Sequence, residues 1–331
     1  MNSLLTWPCA ALSRAPLADK TTMRVGGRAE WLLEPANPEE LARAWSAARE
    51  RGYLPRVLGG GANLVIDGGE LAGVVLSTAR LRYILRTSMD EDPRGEWSLR
   101  ESPARSLDTP RASEDTRLVA WCGATIPGLV SAATQLGWSG LEGLAGVPGQ
   151  VGGGVAMNAG GRWGDFWDVV ESVRVLDMQT GDVRDLARAQ CSPKYRDGGM
   201  RGLVVLGAVV RLEKSEKETV RARVREYLEI KRKVQPVTES SAGCIFKNPD
   251  PALSAGRSAG KLIEEAGGKS LARGGAIVSP LHGNFIVNTG TATPADVFTL
   301  IEDVRDLVRE KTGIQLATEV KMWRATDPVR G

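Results

Sequence analysis

A thiol set between a glycine and an apolar pair opens the chemistry of this sequence. SSAGCIFKNP, Ser240 to Pro249, holds Cys244 with Lys247 and Asn248 just behind it. A free cysteine is ordinarily a small buried hydrophobe, and it reads as reactive only where its surroundings supply a substrate or a charge. Two glycine-rich stretches offer such surroundings: LGGGANLVIDGG (Leu58 to Gly69) and GLEGLAGVPGQVGGGVAMNAGG (Gly140 to Gly161). Without Cβ atoms, Gly59, Gly60 and Gly61 in the first, and Gly149, Gly152, Gly153 and Gly154 in the second, let backbone N–H groups reach a ligand, usually a phosphate. Two such loops suit a pyrophosphate. Asn63 and Asn158, each following small residues there, could donate a side-chain amide to a phosphate or a flavin carbonyl, or equally serve as left-handed turn residues. Tight turns between packed strands explain either cluster alone as well as ligand binding does; the two together favour a ligand. GxGxxG is absent, and Gly260-Lys261 is followed by leucine rather than Ser or Thr, which argues against the common Rossmann and P-loop sites.

Composition narrows the classes. At 331 residues and 42% hydrophobic content the chain is long enough for two or three domains. Its formal charge of +3 comes from 43 basic and 40 acidic residues spread along the sequence, without the one-sided basic face of a nucleic-acid binder. No apolar run nears the ~20 residues of a membrane span, and MNSLLTWPCAAL lacks the charged start of a secretory leader. A cytoplasmic protein with no nucleic-acid or membrane partner is expected, and a monomer is the default. Cys9, Cys122, Cys191 and Cys244 are far apart, and His282 is the single histidine, so no metal site is expected. A serine hydrolase would need His282 and a GxSxG elbow, which is missing.

The elements that must position these groups follow from periodicity. Asn37, Pro38, Glu39 and Glu40 spell a helix start, and Leu41, Trp45 and Ala48 share one face before Gly52. YLPRVLGGG and GVVLST read as short buried strands around a glycine turn, and further strands are expected at RLVAWCG, VVESVRVLDM and LVVLGAVVRLE. Arg86 to Arg117, charged and rich in Ser and Pro, reads as a long solvated loop or a disordered insertion. After Glu213, a charged helix with Val220, Val224 and Leu228 in a thin apolar stripe ends at Pro236. The last third predicts a helix at AGKLIEEAGG, strands at GAIVS and NFIVN, and a long helix opened by Thr293-Pro294. Val297, Leu300, Ile301, Val304, Leu307 and Val308 line that helix's buried face, and IQLATEVKMW is expected as a closing strand.

Seven stretches, in order, carry a resemblance: TTMRVGGRAEWLLEP, LGGGANLVIDGG, LEGLAGVPGQVGGGVAMNAG, YRDGG, SAGCIFKNP, AGKLIEEAGGKSLARGGAIVSPLHGNFIVN and TEV. From Thr21 to about Val320 the chain resembles the UDP-N-acetylenolpyruvoylglucosamine reductase (MurB) family. The resemblance implies an α+β fold, with an FAD-binding domain of the vanillyl-alcohol-oxidase (PCMH) type over 21–213, in subdomains 21–79 and 80–213. It places an N-terminal extension at 1–20 and a C-terminal α+β substrate-binding domain at 214–331. It implies that NADPH reduces bound FAD. The flavin then converts the enolpyruvyl ether of UDP-N-acetylenolpyruvoylglucosamine to the lactyl ether of UDP-N-acetylmuramic acid, a step of peptidoglycan precursor synthesis.

That reaction needs a hydride donor at one carbon, an acid at the other, and cations or hydrogen bonds on the carboxylate. No side chain donates hydride, so a flavin is required. In the family pattern the position of Cys244 is usually a serine assigned as proton donor. A thiol, with a reference pKa of about 8.5, is the better acid. Lys247, close in sequence, is the cation placed to depress it. Arg196 in KYRDGG matches the catalytic arginine, and Glu319 in ATEVKMW matches the catalytic glutamate; alone, they would read as a surface ion pair and a solvated strand residue. The resemblance further implies substrate contacts from Tyr195, Lys247 and Asn248. Its flavin site would take in Arg24, Gly26 and Gly27 of MRVGG together with Gly59, Gly60, Gly61, Ala62, Asn63, Gly149, Gly152, Gly153, Gly154 and Asn158. The family continues YRD with serine and a bulky residue where this chain has Gly198-Gly199, and the direct run from that motif into a strand favours the family's shorter type. An FAD-linked oxidase of the same fold, or a non-catalytic protein binding FAD or a UDP-sugar, would keep the glycine loops without needing Arg196, Cys244 and Glu319.

Overall fold

The computed structural model describes residues 6–86 and 115–328. Most of the expected charged loop therefore lies outside the described residues, but its two ends do not. Arg86 and Arg117 belong to the strands Ile84–Arg86 and Arg117–Trp121, which pair antiparallel.

Helix α1 (Pro38–Glu50) begins where its cap predicts: Asn37 Oδ1 accepts from the Glu40 N–H at 2.8 Å, and Leu41, Ala44, Trp45 and Ala48 are buried. It connects the strands Arg28–Glu34 and Arg56–Leu58, which lie parallel on either side of Glu70–Ser77. Ala10–Pro16 adds an antiparallel edge strand, so part of the expected N-terminal extension is sheet.

A second sheet, wholly antiparallel, runs in the order Val183–Ala187, Val170–Asp177, Leu203–Arg211, Arg117–Trp121, Ile84–Arg86. Its central strand is buried on both faces. Val205, Ala208 and Val210 pack with α2 (Ile126–Leu136) and α3 (Val151–Met157), while Val204, Leu206 and Val209 pack with α1 and the first sheet. Helix α4 (Lys217–Val234) ends before Pro236 as its stripe predicts. Its Val224 packs on the α2 core, so the helix expected to open the C-terminal domain lies against the preceding one.

The remaining unit is an antiparallel sheet in the order Ser240–Cys244, Phe285–Asn288, Ala276–Val278, Ala272–Arg273. After the short α5 (Pro251–Ser254), α6 (Ala259–Glu265) and α7 (Pro294–Thr312) cover it. A reciprocal cap between Thr293 and Asp296 opens α7, whose Val297, Leu300, Ile301, Val304 and Val308 join Leu262, Ile263, Val278 and Ile286 in one core; Leu307 is only partly covered. The expected closing strand is shorter than IQLATEVKMW: only Lys321–Trp323 forms a ladder, and it pairs parallel with Leu64–Ile66, outside this unit's own sheet. Among the described residues no helix is long and apolar enough to cross a membrane.

Candidate active site

The strand Leu64–Ile66 is entered through the first glycine loop, and that loop is packed too tightly for side chains. Gly61 has φ +61°, and a Cβ there would come within 2.3 Å of Lys20 O; a Cβ on Gly60 would lie 3.0 Å from Gly149 Cα. The two glycine-rich stretches therefore touch. The N–H groups of Gly60, Gly61 and Ala62 meet no acceptor among the described residues, which leaves a short row of free amides of the kind that binds phosphate. The segment Gly59–Asn63 has no acidic side chain, and Gly153 on α3 faces open space. Neutral donors on a backbone stripped of Cβ atoms fit the diphosphate of FAD.

The other glycines of these motifs have structural reasons. Cβ atoms on Gly152 and Gly154 would meet Cys122 Cβ at 2.8 Å and Ile126 Cδ1 at 2.9 Å, and their N–H groups donate to Cys122 O and Gln150 O. They let α3 settle on its sheet. Gly26 and Gly27 sit at the far end of the strand Leu64–Ile66, where the Gly27 N–H donates to Asp67 O and a Cβ would strike Gly69 O at 1.9 Å. Arg24 is exposed, with φ +58°, on the loop whose Thr22 N–H supports Gly61 O.

Arg196 is held in a left-handed conformation, φ +54°, which costs on the order of 1 to 3 kcal/mol and needs its surroundings to impose it. They do. The Gly198 N–H donates to Ala156 O at 3.0 Å, and a Cβ on Gly198 would lie 2.0 Å from Val155 O, so the Gly-Gly that departs from the family pattern docks the loop on the C-terminal end of α3. The guanidinium then reaches Gly160 O at 2.8 Å, Asn158 O and Asp165 Oδ1 at 3.3 Å each, and Glu319 Oε1 at 3.2 Å, with Tyr195 stacked 4.9 Å beneath.

Cys244 is aimed by a bulge. Ser241 and Cys244 face Val287 and Phe285, so the strand carries one extra residue, accommodated at Gly243 with φ +74°. Buried Asn284 fixes the following turn of chain: its backbone carbonyl accepts from the Ile245 N–H at 2.9 Å, its Oδ1 accepts from the Phe246 N–H at 2.9 Å, and its Nδ2 donates to Phe246 O at 2.8 Å. Burial pushes the thiol up to about 12, Glu319 adds to the rise, and Arg196 and the Asn284 side chain oppose it. Lys247 is not the cation that acts on Cys244, contrary to the expectation from sequence. Its charge falls on Glu319, whose carboxyl is raised by burial and pulled back by Arg196 and then Lys247. The Glu319 N–H donates to Ile245 O at 2.8 Å, which sets the carboxyl beside the Cys244 segment.

Several expected ligand contacts turn inward. Asn158 is the left-handed turn residue of the two readings its sequence allowed, φ +48°, and its amide donates to Lys194 O at 3.1 Å and accepts from the Trp167 N–H at 3.2 Å. The Asn63 amide donates to Glu319 O at 3.2 Å and to Met157 Sδ at 3.6 Å, tying the glycine loop to the glutamate. Asn248 Oδ1 accepts from the Ala259 N–H at 3.0 Å at the start of α6. Tyr195 is half exposed, and burial of the rest raises its hydroxyl. His282 Nδ1 accepts from the Asn284 N–H at 3.1 Å, and burial lowers its pKa. The sequence did not single out Asp165, Asn284 or Lys231: Asn284 stands in the stretch LHGNFIVN with no role read for it, and no local pattern marks the other two.

A family model described as the UDP-N-acetylenolpyruvoylglucosamine reductase C-terminal domain matches residues 235–323, and one described as an FAD binding domain matches residues 29–187. The UDP-N-acetylenolpyruvoylglucosamine reductase of Deinococcus radiodurans is 41% identical over 318 residues, 95% of this chain and 96% of that protein. The protein of the same name from Parasynechococcus marenigrum is 38% identical over 327 residues, 98% of this chain and 99% of that one. Among solved structures, the reductase (MurB) from Thermus caldophilus superposes with a TM-score of 0.72 at 33% identity, covering 95% of this chain and 98% of its own.

Proposed function

The chain belongs to the UDP-N-acetylenolpyruvoylglucosamine reductase family, and from that premise we propose how its residues divide the chemistry. It is a UDP-N-acetylmuramate dehydrogenase, which reduces UDP-N-acetylenolpyruvoylglucosamine to UDP-N-acetylmuramic acid in peptidoglycan precursor synthesis, with FAD bound and NADPH as co-substrate. Bound FAD would supply the hydride, drawn from NADPH, for the terminal vinyl carbon. The amides of Gly60, Gly61 and Ala62 would hold its diphosphate, and Gly153 on α3 faces open space.

Four of the five guanidinium N–H groups of Arg196 are directed at protein oxygens, which leaves one on Nη2, and the full positive charge, for the substrate carboxylate. As charge moves onto that carboxylate, Arg196 stabilises it. Cys244 delivers a proton to the carbon bearing the ether oxygen. Its raised pKa keeps it protonated until then, and the thiolate left behind is steadied by Arg196 and Asn284. Glu319 orients Arg196 and, through its own charge, holds the thiol in the protonated state. Lys247 and Tyr195 line the substrate side.

The observation that carries this reading is the meeting of a buried thiol, a buried carboxyl and a guanidinium beside a row of free amides. The test is substrate-dependent NADPH oxidation by the FAD holoenzyme. Turnover with UDP-N-acetylenolpyruvoylglucosamine is expected. A protein that cannot be reconstituted with FAD, or a flavoprotein whose NADPH oxidation ignores that substrate, would overturn the reading in favour of a binding protein or an oxidase.

A further inference from the structure

Lys231 on α4 is 7% exposed, yet among the described residues its ammonium meets no carboxylate. Nζ donates to Ala145 O and lies 5.8 Å over the Trp163 ring. A buried ammonium without an anionic partner is costly, so its retention asks for a reason. Trp163 is gripped from both sides: its ring stacks on Tyr227 of α4 at 4.4 Å and 7°, and its carbonyl presses on Gly143, where a Cβ would come within 2.5 Å. Trp163 lies at the tip of the hairpin that pairs Gly160–Gly161 with Gly164–Asp165. That hairpin supplies Gly160 O and Asp165 Oδ1 to Arg196.

We propose that Lys231 is a positioning residue for Arg196, holding through Trp163 and Ala145 the hairpin whose carbonyl and carboxylate aim the guanidinium. The inference rests on the reductase reading. Burial, and then the charge of Arg196, lower the Lys231 ammonium to about 8. The elements packed against it carry, as their other charged and titratable groups, Arg162 over the Trp163 ring and Asp165 on the hairpin, Glu142 paired with Arg223 at 3.0 Å in the turn before Ala145, and Tyr227 on α4 itself. As pH rises through about 8, Lys231 loses its proton, its attraction to the ring and much of its bond to Ala145 O. The hairpin loosens and kcat/KM falls.

The experiment compares pH profiles of kcat/KM for the FAD holoenzyme and its Lys231→Arg, Lys231→Met and Tyr227→Leu variants, with the 13Cε NMR signal of Lys231 identified by its loss in Lys231→Arg. The parent is expected to show an inflection near pH 8 that matches the NMR titration. Lys231→Arg, which keeps the fold and the charge, should remove that inflection below about pH 10. Lys231→Met should run about tenfold or more below the parent without it, while bleaching of the flavin by NADPH stays within about twofold. Tyr227→Leu should lower kcat/KM and keep the inflection. An inflection that survives in Lys231→Arg, a parent profile without one, or parent-like kcat/KM in Lys231→Met would each overturn the role. A holoenzyme inert toward the substrate at every pH would overturn the reductase reading and the role with it; the Lys231 NMR titration, unaffected, tells the two failures apart.

Discussion

Arg196 Nε lies 3.2 Å from Glu319 Oε1, although one residue comes from the loop docked on α3 and the other from the segment leading into the strand Lys321–Trp323. Their side chains are 14% and 10% exposed, so neither can be removed without leaving the other charge poorly solvated. The loop docked on α3 and the C-terminal segment are joined, at the site, through the two groups proposed to act on the substrate.

Arg196→Lys should therefore behave as a severe change. A lysine cannot keep contacts to Gly160 O, Asn158 O, Asp165 and Glu319 at once, and its ammonium falls short of a planar fork. A loss of about 100-fold to 1000-fold in kcat is expected, with flavin content unchanged. Steady-state kinetics on the purified holoenzyme decide it; kcat within a few-fold of the parent would contradict the assignment.

Cys244→Ala should separate the two half-reactions. NADPH is expected to bleach the flavin at the parent rate, while return of the oxidised spectrum on adding the enolpyruvyl substrate slows by about 100-fold or more. Cys244→Ser should recover much of the loss. Stopped-flow absorbance reads both, and an alanine variant that reoxidises normally removes Cys244 from the proton path.

The raised thiol pKa predicts chemical inertness and an alkaline liability. With its pKa pushed to about 12, Cys244 should alkylate with iodoacetamide at pH 8 on the order of a thousandfold more slowly than a free thiol. The folded value lies above the unfolded one of about 8.5, so the associated stability is complete below pH ~8.5 and is lost as pH rises toward about 12. Thermal melts should show the parent losing more stability than Cys244→Ser between pH 8 and pH 10. Parallel melts at both pH values would contradict the shift.

Two glycine substitutions should fail differently. Gly61→Ala puts a methyl 2.3 Å from Lys20 O at a positive φ, and is expected to weaken FAD retention, read as flavin content after gel filtration. Gly198→Ala strikes Val155 O at 2.0 Å and should displace Arg196, lowering kcat while flavin stays bound. Equal effects on both readouts would show that the two loops are not separable.

What could be read from sequence was whatever a residue type states locally. Glycine announces missing side-chain volume, so the close packing of both glycine loops was legible, as was the Asn37 cap of α1. What depends on folded distance was not. Asn63 and Asn158 read equally as ligand donors or turn residues, and only folded distance shows that their amides reach Glu319 O and Lys194 O, which lie remote in sequence. Lys247 is three positions from Cys244 and acts on Glu319, whereas Arg196, far back in the chain, acts on the thiol. The strand Ala10–Pro16 is a mostly exposed edge and has no apolar alternation to betray it.

The parallel pairing of Lys321–Trp323 with Leu64–Ile66 joins positions about 250 residues apart, and so sets the order in which the molecule can mature. Closing so long a loop costs entropy that no local contact repays. During refolding, a species with its sheets built and its glycine loops in place would capture the cofactor before Glu319 arrives. Recovery of flavin fluorescence quenching should then precede recovery of turnover, with docking of that last strand as the step between them.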